Sequence, residues 1–119
     1  MAGASWMLPR MVGKARATEM MMLGERISGE KAAEWGLIYK CVEDEALQAE
    51  ARALATRLAS GPTVAYAVMR KNIVTALESS YSQALLAEAE GQRVAAGTAD
   101  AGEGGTAFLE KRKPEFKGS

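Results

Sequence analysis

The side chains that can exchange protons near neutral pH in this chain are carboxylates, because the sequence has no histidine and only one cysteine, Cys41. Ser-His triads and His-ligated zinc are therefore excluded, and one thiol cannot build a four-cysteine metal knot. A carboxylate can work as general acid or base when it lies within hydrogen-bond reach of the moving proton. Glu30 and Glu34 stand one helical turn apart and have the spacing of a dyad. The same spacing describes a solvated face near a helix start, so neither is assigned a catalytic role. Cys41 sits in an apolar run with no base to activate it and reads as a small buried hydrophobe. Lys111, Arg112, Lys113 and Lys117 form a basic cluster of the kind that suits the negative end of a helix dipole. Gly3 and Ser5 do not make a phosphate loop, since no Gly-Lys-Ser/Thr follows them.

The elements that must position these groups are mostly helical. Within 119 residues, 15 basic and 15 acidic side chains cancel, so no net field favours nucleic acid, an acidic substrate or an anionic membrane. The apolar patch Met20 to Leu23 is far short of a membrane span and reads as packing. With no signal-peptide pattern and a single thiol, the expected setting is the cytoplasm. The chain is rich in alanine and poor in β-branched residues, which favours helix. Leu47, Ala51, Leu54 and Leu58 make an apolar stripe over Glu45 to Ser60, with Asp44 placed to cap it and Gly61 to end it. Pro62 suits the opening of a second helix carrying Tyr66, Met69, Ile73 and Leu77 on one face. A third begins at Ser80, a break follows near Gly97, and a last helix runs from Asp100 to Lys113. Before these, short helices are expected at Trp6 to Val12, Lys14 to Leu23 and Ser28 to Trp35, ended by Gly13, Gly24 and Gly36. Leu37 to Val42 has the composition of a strand. A lone strand needs an outside partner for its backbone N–H and C=O groups.

Three strings in fixed order carry a resemblance. Gly24-Glu25-Arg26-Ile27-Ser28-Gly29-Glu30-Lys31-Ala32, continued by Trp35-Gly36-Leu37-Ile38, resembles the "G-x-x-I-S-x-x-x-A-x-x-x-G-L-V" signature of the enoyl-CoA hydratase/isomerase (crotonase) family. Gly3 to Gly13 resembles that family's Gly-rich loop and following helix. Glu103-Gly104 with Ala107-Phe108-Leu109-Glu110-Lys111-Arg112-Lys113-Pro114-Glu115-Phe116 resembles its C-terminal ending. Trp6-Met7-Leu8-Pro9-Arg10 is most similar to family isomerases of aromatic-acid degradation, such as the ring-epoxide isomerase of phenylacetate breakdown.

The resemblance implies a mainly α fold corresponding to the C-terminal half of a crotonase. Residues 1–43 would be a remnant of the core, with one strand at about 37–42, and residues 44–119 a helical trimerisation region. It implies acyl-CoA chemistry: protonation or deprotonation next to a thioester carbonyl, with an oxyanion hole for the enolate. The oxyanion donors, the paired glutamates of hydratases and most of the CoA pocket belong to the half this chain does not resemble. The aspartate often found just before the Ala-Gly of the first loop falls on Met1. No catalytic residue is therefore expected here, nor any metal or resident cofactor. Phe108 and Lys111 match the family's phenylalanine and lysine that reach the adenine and phosphates of CoA bound mainly by a neighbouring subunit. The expected partners are copies of the same chain, trimers first and hexamers in longer members, with no nucleic acid or membrane. The contrasting reading is a stand-alone helical oligomerisation module without enzymatic role.

Overall fold

A computed structural model describes residues 3–119, and all the regular structure in it is helical. The seven helices are α1 (Ala4–Val12), α2 (Lys14–Leu23), α3 (Gly29–Glu34), α4 (Asp44–Ala59), α5 (Thr63–Glu78), α6 (Tyr81–Ala96) and α7 (Ala99–Glu110). The chain divides into two compact units, Met1–Leu47 and Gln48–Ser119.

In the first unit α1 packs on α2. Arg10 stacks on Trp6 at 4.0 Å and donates to the Trp6 carbonyl at 2.8 Å, so this ring covers a cation one turn ahead of it. Trp35 is flanked by Arg16 and Lys31. Ser28 caps α3 by accepting from the Lys31 N–H. At the other end of α3, Gly36 takes a φ of 75°. The Gly36 N–H donates to Ala33 and the Leu37 N–H to Ala32, which closes the helix by the usual left-handed C-terminal turn.

The expected strand at 37–42 is not formed. Leu37 and Ile38 spend their N–H groups on the Ala32 carbonyl, and the chain continues through bends and irregular backbone to α4. A ladder needs a second strand at hydrogen-bonding distance, and the described residues hold none. In this irregular backbone Tyr39 and Ile38 are left exposed. Helix boundaries also differ from expectation: α1 begins at Ala4, two residues before Trp6. Asp44 is the first helical residue of α4 and not its cap. The last helix stops at Glu110, with Thr98 as its N-cap, because Lys111 turns left-handed.

In the second unit α5 and α6 form an antiparallel pair joined at Ser79-Ser80. Ser80 and Gln83 make a reciprocal capping box, a signal the sequence carries in plain view. The two helices cross where Gly91 is buried: a Cβ built there would lie 2.6 Å from Val68 Cγ1 and 2.8 Å from Asn72 Nδ2. Val68 is β-branched with a stiff χ1, so the helices must separate if the Cβ is added. Gly91→Ala is accordingly expected to destabilise the second unit by about 1–2 kcal/mol, overpacking outweighing the gain of about 1 kcal/mol in helix propensity. Urea melts followed by helical circular dichroism check this, and an unchanged or raised midpoint would show that the crossing is loose.

The core is small. Val12, Ala17, Ala32 and Ala107 are the buried apolar side chains among the described residues, and none of the leucines, isoleucines or aromatics is buried. The accessible surface is 9444 Å². Folded monomers of the size of the two units, each taken alone, would total about 7,400 Å². The apolar stripe read along α4 exists as a stripe, but α4 buries no residue.

Candidate functional site

The densest polar construction in the molecule lies at the C-terminal end, where the tail turns back along α7. Asp100, in the first turn of α7 and 3 % exposed, accepts from the Lys117 N–H at 2.7 Å and the Gly118 N–H at 2.8 Å. The Asp100 N–H in turn donates to the Ser119 carbonyl at 3.0 Å. One turn on, Glu103 receives both terminal nitrogens of Arg112, at 2.6 and 2.9 Å, and the Glu115 N–H at 2.8 Å. Arg112 Nε donates to Glu110 at 2.6 Å. Two carboxylates of one helix thus hold backbone N–H groups that no helix or sheet would satisfy. Phe116 packs against Gly104, where an added Cβ would meet the ring at an ordinary contact distance of 3.6 Å.

The Arg112 guanidinium, and after it the Glu115 N–H, hold the Glu103 carboxyl far below its ordinary 4.5, at about 2. A carboxyl whose folded-state value is depressed contributes to the fold above its unfolded value, and this contribution is lost as pH falls through the folded one. The tail is therefore expected to stay latched through pH 4.5 and to loosen toward pH 2. The Glu115 amide resonance reports this directly, with an expected midpoint near 2. A midpoint at 4 or above would show that Arg112 does not hold Glu103 in solution.

Of the two residues expected at a CoA edge, Phe108 is 84 % exposed on α7 and Lys111 is exposed at the turn that ends it. They lie next to each other, with the Lys111 N–H donating to the Phe108 carbonyl at 3.2 Å. Lys111 has φ 54°. Arg112, grouped with Lys111 by sequence, is instead committed to carboxylates. The roles of Asp100 and Glu103 were not visible in the sequence. Their partners lie 9 to 18 residues away along a tail that reverses, a spacing that matches no helical or strand period.

Elsewhere among the described residues the other sequence candidates stand apart from one another. Glu30 and Glu34 are both exposed on α3, and Ser28 lowers the Glu30 carboxyl. Glu90 is likewise lowered by its partner Arg93. Cys41 is half-buried, its sulfur against the first residue of α3. A hollow of about 360 Å³ between Ser60 and the tail is lined by Lys113, Pro114, Glu115 and Phe116. The Ser60 hydroxyl there is already donating to Thr56. Met1, where an acid would stand in the isomerases, lies outside the described residues. Among the described residues no cluster of three or more cysteine or carboxylate side chains could hold a metal ion, and no helix is long and apolar enough to cross a membrane.

Among the described residues, then, all regular structure is helical, the tail is latched to the last helix, and an exposed phenylalanine and lysine stand at that helix's end. The enoyl-CoA hydratase/isomerase family profile matches residues 1–119, and the chain belongs to that family. It is 41% identical over 116 residues to the 1,2-epoxyphenylacetyl-CoA isomerase of Escherichia coli, covering 98% of this chain and 44% of that protein. It is 43% identical over 117 residues to a probable enoyl-CoA hydratase of Rhodobacter capsulatus, covering 98% of this chain and 46% of that one. An enoyl-CoA hydratase structure from Geobacillus kaustophilus superposes with a TM-score of 0.94 at 32% identity, covering 100% of this chain and 46% of its own. The chain thus spans somewhat under half the length of the relatives it matches.

Proposed function

We propose that these 119 residues supply the subunit-assembly surface and the CoA-covering edge of a cytoplasmic acyl-CoA hydratase or isomerase, and that they hold no competent active site by themselves. Residues 1–43 continue the catalytic core in this reading, and residues 44–119 are the trimerisation region. The substrate is a coenzyme A thioester, and no metal or resident cofactor takes part. The observation that carries the reading is the apolar surface left open. Apart from Val12, every large apolar side chain described is at least partly exposed, and Met69 and Ile73 of α5 are 56 % and 64 % exposed. Contiguous faces of that kind mark interfaces. Family membership and the exposed pair Phe108 and Lys111 support the second half of the proposal.

A ring and one ammonium can hold the adenine end of CoA only weakly, because two contacts barely offset the entropy of association. The dissociation constant expected for CoA and this chain is in the low millimolar range, about 1–5 mM, and calorimetry checks that it is no tighter. Micromolar affinity that disappears in Lys111→Ala would mean that the edge is a sufficient site.

A further inference from the structure

We propose that Glu103 and Arg112 are positioning residues, whose ion pair fixes the left-handed turn at Lys111 and so aims the Lys111 ammonium and the Phe108 ring at one ligand. The ligand is the adenosine-phosphate end of coenzyme A, and in that respect the proposal rests on the reading of the preceding section.

The argument starts from two helix ends with the same hydrogen-bond pattern. In α3 the Leu37 N–H reaches Ala32 at 2.9 Å and the Gly36 N–H reaches Ala33 at 3.0 Å; in α7 the Arg112 N–H reaches Ala107 at 3.0 Å and the Lys111 N–H reaches Phe108 at 3.2 Å. The turn residue of α3 is glycine, which enters this conformation without steric cost. In α7 it is Lys111, and among the described residues no other non-glycine has a positive φ. A residue held in a sparsely populated conformation persists when its surroundings over-determine it. The surroundings here are specific. Arg112, the next residue, is tied by both terminal nitrogens to Glu103, nine positions back, and by Nε to Glu110 on the other side of Lys111. Ala107, beneath the turn, is 1 % exposed. The Lys111 side chain takes no part in these ion pairs and is exposed, as is Phe108 three residues before it.

The same geometry divides the labour within the basic cluster. Three of the Arg112 nitrogens already face carboxylate oxygens, and Nη1 also reaches the Lys113 carbonyl. Its charge is neutralised locally, and what remains is its planar fork, which locks a direction. Lys111 offers the complementary property, a compact charge suited to a phosphate. A glycine at 111 would satisfy the backbone better but would leave nothing to present.

The test is an NMR titration of the chain with CoA at millimolar concentration, in the wild type, Lys111→Gly and Arg112→Lys. Arg112→Lys keeps the charge and removes the fork. In the wild type CoA is expected to shift the Phe108 and Lys111 amides. Lys111→Gly is expected to melt higher than the wild type and to lose those shifts. Arg112→Lys is expected to keep its helical signal but to move the ligand-free Lys111 Cα shift away from left-handed values, with CoA affinity falling at least fivefold. If Arg112→Lys leaves the Lys111 Cα shift or the CoA affinity as in the wild type, the positioning role is overturned while the CoA reading stands. If CoA leaves Phe108 and Lys111 unmoved in the wild type, or binds Lys111→Gly equally well, the CoA reading fails and this proposal falls with it. The ligand-free Cα shift still tells whether the clamp holds the turn.

Discussion

Crotonyl-CoA mixed with the purified 119-residue chain is expected to be hydrated no faster than in buffer, and enoyl-CoA isomers are expected not to interconvert. This is the largest effect anticipated, because it concerns the whole of catalysis and not one contribution to it. Enolate chemistry needs a base worth some 10²–10⁴ in rate and oxyanion donors worth about 10²–10³ each. The carboxylates with shifted acidity, Glu30, Glu90 and Glu103, are all shifted downward by hydrogen-bond partners, away from neutral pH. A base for this chemistry is tuned the other way. Asp100 is buried but is occupied as the acceptor of two tail N–H groups. Thioester absorbance and product chromatography provide the measurement. Turnover above the buffer rate that vanishes in Glu34→Gln or Asp100→Asn would reverse the conclusion and make this a small enzyme in its own right.

The second large effect is on assembly. In solution the chain is expected to be an oligomer, trimer before dimer, with a melting temperature that rises with protein concentration. Met69, Ile73, Val74 and Leu77 of α5 all stay exposed, and the buried apolar side chains among the described residues are one valine and three alanines. Each such side chain is a little over half exposed, so covering it contributes about 1–2 kcal/mol. A charge placed on this face should therefore cost little in a monomer and much in an assembly. Ile73→Asp is expected to shift sedimentation equilibrium at low micromolar concentration from oligomer to monomer and to lower the melt. A wild-type chain that sediments as a monomer, with a cooperative and concentration-independent melt, would show that α4 to α7 suffice by themselves.

Local chemistry determined much of this structure in advance. The Gly13, Gly24 and Gly36 helix ends, the Ser28 cap, the start of α6 at Ser80 and the stripe on α4 follow from residues within four positions of one another. Such signals act through the backbone and the nearest turn, and they hold whatever the rest of the chain does. The ordered strings ending in Phe108 to Phe116 likewise placed the chain in its family before any geometry was known. Tertiary structure decided what depends on distant partners. Leu37 to Val42 has strand composition, but a strand exists only where another offers its backbone groups, and the described chain brings none alongside. Arg112 reads as one cation in a basic cluster until the tail folds back and sets it on Glu103. Asp100 reads as a helix-start acid until two N–H groups from beyond position 116 arrive to use it. The left-handed turn at Lys111 was hidden for the same reason. No local propensity asks a lysine to adopt it, and what holds it there is an ion pair between residues nine positions apart.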